Sequence, residues 1–140
     1  MIAIDANVLL RYLLADDVVQ YHKAKVLIRT HPPVLLTDVV LVETVWTLMG
    51  KRYNLDKVRI CNIVRGLIGD SAFRFESSQV VWSALMDYQS SKPVRGKKLD
   101  FADALITHKA QYVAELAKHK LEGFYSFDKA VEQLDGALKP

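Results

Sequence analysis

Four short apolar runs, each followed by a stretch with helical spacing, constrain this chain more than any other feature. Residues 2–4, 34–36, 72–75 and 123–126 are too short for helices and carry aliphatic or aromatic side chains, which reads as four strands. Helical patterns follow over 8–14, from Asp16 and Asp17 through Ile28, over 38–50, 55–68 and 79–89, over 100–118, and last over 129–134. Asn7, Asp38, Asn54, Ser77 or Ser78, Asp100 and Asp128 stand where helix N-caps belong. Parallel strands need a crossover about a helix long, so this alternation implies an α/β fold with a parallel sheet and helices on both faces. The run over 2–4 has no polar alternation and is expected to be a central strand, buried on both faces.

The length of 140 residues fits a single domain spanning 1–140, and the six glycines and four prolines are too few for a long linker or a disordered tail. The only cysteine, Cys61, excludes an intramolecular disulfide and favours a reducing compartment. No basic segment precedes an apolar run at the N-terminus, and no 18-residue apolar stretch occurs, so the expected location is cytoplasmic with no membrane contact. Net charge is +3 with 16 acidic residues, which suits a mildly basic surface around an acidic pocket and a polyanionic substrate.

Four carboxylates recur in equivalent places. Asp5 follows the first strand, Glu43 lies on the helix after the second, Asp103 is on the long helix, and Asp128 follows the fourth strand. In an open α/β sheet these positions are at or near the carboxyl edge, where ligands bind, and the other acids are expected to converge on Asp5. Two carboxylates about 4 Å apart repel by roughly 4 kcal/mol at an effective dielectric of 20, so such a cluster calls for a dication. An all-oxygen donor set points to Mg²⁺ or Mn²⁺. Each acid also has a structural reading: Asp100 with Asp103 has capping-box spacing, and Asp128 can cap the last helix. A glutamate such as Glu43 is rarely buried without a partner.

The pieces Asp5-Ala-Asn7-Val-Leu-Leu-Arg11, Val39-Val-Leu-Val-Glu43, Asp100-Phe-Ala-Asp103-Ala-Leu-Ile106 and Ser126-Phe-Asp128-Lys129 resemble, in order and spacing, the four acidic blocks of PIN-domain ribonucleases. Among these they look most like the VapC toxins of toxin–antitoxin modules, over residues 1–131. The resemblance implies Asp5 and Asp103 as principal metal ligands, with Glu43 beside them and Asp128 as a more variable fourth acid. It also implies Asp100 as an accessory acid, Asn7 and Ser126 as polar supports, and a five-stranded parallel sheet, of which four strands are placed above. The implied partners are an RNA substrate, a VapB-like antitoxin covering the site, and a second copy in a homodimer. Trp46, Met49 and Tyr53 give the dimer modest support, although core packing explains Trp46 and Trp82 as well.

The expected chemistry is metal-dependent hydrolysis of an RNA phosphodiester: water attacks phosphorus in line and the 3′-hydroxyl leaves. His22, His31, His108 and His119 are scattered, with no pair set for acid and base work. Lys92, Arg95, Lys97 and Lys98, just before the long helix, are the candidate RNA contacts, and Arg11, Lys51 and Arg52 extend them. Three readings compete. A haloacid-dehalogenase-type phosphatase also begins with a strand ending in Asp, but needs a second aspartate where Asn7 stands. A phospho-receiver domain lacks its mid-chain aspartate here. A PIN-like module without activity would act as a binding scaffold.

Overall fold

Three of the apolar runs form one sheet. In the computed structural model, β1 (Ile2–Ala3), β2 (Val34–Leu36) and β3 (Phe73–Phe75) are parallel in the order β1-β2-β3, with Ile2 opposite Val34 and Val34 opposite Phe73. The described residues, 1–140, gather into two compact units, Met1–Ser78 and Gln79–Pro140. The first unit holds this sheet with α1 (Ala6–Leu14), α2 (Val18–Thr30), α3 (Asp38–Met49) and α4 (Lys57–Gly69). Helix α1 packs against both α2 and α3. Leu9, Ile28, Val34, Leu36, Leu41, Leu48 and Ile60 are fully buried, each side chain stabilising by about 1.5–3 kcal/mol.

Polar contacts fasten this layer. The Arg29 guanidinium donates to both carboxylate oxygens of Asp70, at 3.2 and 2.9 Å, and to the Tyr12 hydroxyl. Tyr12 meets Phe73 edge to face, 5.9 Å between centroids. Arg29 holds the Asp70 carboxyl below its ordinary range, helped by the backbone N–H of Ala72. Arg11 reaches Asp16 at 2.6 Å, and the Tyr53 hydroxyl donates to the other oxygen of Asp16 at 3.3 Å, tying the end of α1 to the loop before α4.

The second unit contains all but the first residue of α5 (Ser78–Ser90), with α6 (Phe101–Leu116), β4 (Phe124–Tyr125), a 3₁₀ helix (Lys129–Gln133) and β5 (Ala137–Leu138). β4 and β5 pair in parallel, Phe124 opposite Ala137. Buried side chains here include Val81, Leu85, Phe101, Leu105 and Val131, and Tyr88 meets Phe101 edge to face. No helix is long and apolar enough to cross a membrane.

The α/β class with parallel strands agrees with the sequence expectation. The single five-stranded sheet does not, since the strands divide into sheets of three and two. The fifth strand, β5, follows the 3₁₀ helix near the C-terminus and is only two residues long, too short for any periodic signal. β2, not β1, occupies the middle of the first sheet, and Ala3 is exposed, so the run over 2–4 is not buried on both faces. Three caps also move. Asp5 rather than Asn7 caps α1, Thr37 rather than Asp38 caps α3, and Asp56 rather than Asn54 caps α4. Asn54 instead takes a left-handed conformation, φ 50°, which asparagine tolerates better than most residues.

Candidate functional site

The first unit brings Asp5 and Glu43 to one cavity. Asp5 leaves β1 in extended backbone and turns directly into α1, where its Oδ1 accepts the Val8 N–H at 2.9 Å. This cap fixes the carboxylate at the carboxyl end of the strand. Glu43, Trp46 and Thr47 lie at i, i+3 and i+4 on α3 and therefore share a face. With Asn7 and Leu10 of α1 they and Asp5 line a cavity of about 290 Å³. Glu43 is exposed toward solvent, on the helix face opposite the buried Leu41, Val45 and Leu48. Asp5 and Asn7 also border a second cavity, about 320 Å³, lined further by Arg11, Gln20, Lys23 and Leu27.

At the carboxyl end of β3, Glu76 accepts the Asp38 N–H at the start of α3, 2.7 Å. Glu76 is not among the candidates drawn from the sequence. Its place immediately after a strand-length apolar run is the signal that marks it, the same one that marks Asp5.

The second unit gathers the other acids. Asp100 caps α6 through the Ala102 N–H at 3.2 Å, and Asp103 sits three residues on, in the first turn. Asp128 caps the 3₁₀ helix through the Ala130 N–H at 2.9 Å, and its own N–H donates to Ser126 Oγ at 3.0 Å. Ser126 therefore orients the turn that carries Asp128. Burial pushes the half-buried Asp103 carboxyl up from its ordinary range, and the negative charges of Asp100 and Asp128 push it further. A carboxylate held this way is one that nearby positive charge would relieve. No three of the His, Cys, Asp and Glu side chains stand in metal-holding geometry. The donor chemistry of each acidic set is all-oxygen and suits a hard dication.

The four basic residues form a defined loop. Val94 and Lys97 exchange both backbone hydrogen bonds, at 2.9 and 3.0 Å, across Arg95 (φ 49°) and Gly96 (φ 78°). Two consecutive positive φ values make this a type I′ hairpin turn. At one end the Gln133 side-chain amide grips the Lys92 backbone twice: its Oε1 accepts the Lys92 N–H at 3.1 Å and its Nε2 donates to the Lys92 carbonyl at 3.0 Å. At the other end Leu99 is buried and Asp100 begins α6. Lys92, Arg95, Lys97 and Lys98 are all exposed. Neither the hairpin nor its clamp is expected from the sequence, because Gln133 lies 41 residues from Lys92.

Of the histidines, His108 bonds Asp87 at 2.6 Å between α5 and α6, and His31 bonds Thr30 locally. Comparison of the chain with protein-family models, with curated proteins and with solved structures yields no match.

Proposed function

We propose that the chain is a metal-dependent endoribonuclease hydrolysing RNA phosphodiesters, the toxin of a VapC-like toxin–antitoxin pair, built on a PIN-like fold. The observation that carries this reading is Asp5 and Glu43 lining one cavity of the first unit. In the second unit Asp100, Asp103 and Asp128 support it, the negative charges of Asp100 and Asp128 adding to burial in raising the Asp103 carboxyl pKa. Asp5, Glu43, Asp103 and Asp128 are the proposed oxygen donors to Mg²⁺ or Mn²⁺, with Asp100 accessory. A dication held by them would supply positive charge to a phosphoryl oxygen and would lower the pKa of a water.

The chain's own residues do the rest. Capping holds Asp5, Asp100 and Asp128 each by one carboxylate oxygen, which fixes where the group points. Asn7 and Ser126 support the acids, and the hairpin with its flanks, bearing Lys92, Arg95, Lys97 and Lys98, holds the phosphodiester backbone by charge. Water adds to phosphorus, the P–O3′ bond breaks, and the products are a 5′-phosphate and a 3′-hydroxyl. The same reading carries a VapB-like antitoxin, a homodimer and a cytoplasmic location as its proposed setting. End-group analysis of the fragments tests the chemistry: 5′-phosphate ends are expected, whereas 2′,3′-cyclic phosphate ends would mean attack by the ribose hydroxyl and a different mechanism.

A second reading, a PIN-like scaffold without activity, rests on the structural duty the acids already perform as caps. Mg²⁺ binding separates the two. The nuclease binds the ion and loses it in Asp103→Asn, while a scaffold binds none.

A further inference from the structure

We propose that the groove between α1 and α2 is a subsite for the RNA phosphate next to the scissile one, with Lys23 as its cation and the side-chain amides of Asn7 and Gln20 as its neutral donors. This rests on the nuclease reading and adds a second point at which the strand is held. Gln20, Lys23, Ala24 and Leu27 stand at i, i+3, i+4 and i+7 and share one face of α2. Asn7, Val8 and Arg11 meet them from α1, which packs against α2. The cavity of about 320 Å³ between them is at the small end of the range for small-molecule sites, room for one phosphate with its ribose.

Asp5 and Asn7 line this cavity and also the one that Glu43 borders, so a strand with its scissile phosphate at Asp5 has its next nucleotide beside α2. The two spaces differ in charge. The first is lined by Asp5 and Glu43 with no Lys or Arg, and there a phosphate is held through the dication. The second has two cations on its wall and Asp5 as its only acid. In the nuclease reading the dication takes up the charge of Asp5, while Asp16 takes up that of Arg11 at 2.6 Å. What remains is Lys23, whose ammonium makes no ion pair or hydrogen bond within the chain. The Asn7 and Gln20 side chains likewise have no internal hydrogen-bond partner. An ammonium carries three N–H donors and each amide two, which suits an anion with several acceptor oxygens. Val8, Ala24 and Leu27 give the ribose an aliphatic wall. Lys23, and not Arg11, is therefore the phosphate contact of this face.

Uridine 3′,5′-bisphosphate tests this, because it carries two phosphates one nucleoside apart and no phosphodiester to cleave. The ¹⁵N-labelled protein is titrated with it in Mg²⁺, beside 5′-UMP, 3′-UMP and inorganic phosphate. The bisphosphate should bind more tightly than either monophosphate and should move the side-chain amide signals of Asn7 and Gln20 saturably. Lys23→Gln should lose roughly 5- to 20-fold in affinity for the bisphosphate. Lys25→Gln removes the same charge about 200° around α2, where Lys25 lies over the Tyr21 ring, and should bind as the parent does. With RNA, Lys23→Gln should raise KM and leave kcat nearly unchanged. Unmoved Asn7 and Gln20 signals, an equal loss in Lys25→Gln, or an unchanged KM in Lys23→Gln would overturn the proposal. So would inorganic phosphate binding as tightly as the bisphosphate, which would make the groove a site for a free anion. If the parent cleaves RNA with Mg²⁺ and any of these is seen, the subsite alone has failed. A parent that neither cleaves RNA nor binds the bisphosphate would remove the nuclease reading together with this one.

Discussion

At Asp5 a structural and a chemical duty fall on one side chain, and substitution separates them. Asparagine caps a helix as well as aspartate does, but a neutral amide is a far poorer ligand for a hard dication. Asp5→Asn should therefore melt close to the parent while losing RNA cleavage. Asp5→Ala should lose cleavage and also about 1 kcal/mol of stability, because the Val8 N–H is left without its acceptor. Thermal unfolding of both variants beside a cleavage assay checks this, and an Asp5→Asn protein that still cleaves would remove Asp5 from the site. Asp103 is the complementary case. Its carboxyl is held above the ordinary range, so the folded state resists ionising it, and this penalty is present at neutral pH and relieved as pH falls through the folded pKa.

The hairpin before α6 shows how element geometry decides what a charge cluster can do. Arg95 occupies a left-handed position where asparagine is favoured, so Arg95→Asn turns the loop into the preferred Asn-Gly type I′ turn while removing a charge. Combined with Lys97→Gln and Lys98→Gln, it should weaken RNA binding and flatten the dependence of log affinity on log salt by about 0.7 for each phosphate no longer neutralised. A slope equal to the parent's would take the hairpin out of RNA binding. Gln133→Ala tests the clamp at Lys92: the hairpin keeps its charge but loses its anchor, so affinity should fall with the salt slope nearly unchanged.

The same elements show what is legible in the sequence. The helices are readable because apolar side chains such as Leu9, Leu41, Leu48 and Ile60 recur at helical spacing, and their burial is a direct consequence. The caps at Asp100 and Asp128 are readable from spacing alone. Asp5 looks in the sequence like a residue before the helix because helix starts are uncertain by a residue or two, which moves its cap to Asn7. The Gln133 clamp, the Glu76 bond to Asp38 and the exposure of Trp46 depend on tertiary placement and leave no local periodicity to find.

For the whole molecule, the sheet pattern and the charge network set the behaviour. Two sheets of three and two short strands leave most stabilisation to helix packing and to fasteners such as Arg29 with Asp70 and Tyr12. Because Arg29 depresses the Asp70 pKa, the stability this pair contributes is present above the unfolded value, near about 4, and is lost as pH falls through the folded value. Asp70→Asn should lose about 1 kcal/mol or less at neutral pH, the partly exposed pair being screened, and should unfold with a shallower pH dependence below about pH 4. Chemical denaturation at several pH values reads both effects, and an unchanged acid limb would mean the pair contributes nothing.

The most direct test of the nuclease reading is to strip the protein of metal and incubate it with total cellular RNA. Mg²⁺ or Mn²⁺ is present or absent, with Asp103→Asn beside it. Discrete fragments that require the metal and disappear in the variant are the expected result. Cleavage that proceeds equally in EDTA or survives in Asp103→Asn would contradict the reading, as would a folded parent that neither binds Mg²⁺ nor cuts any RNA.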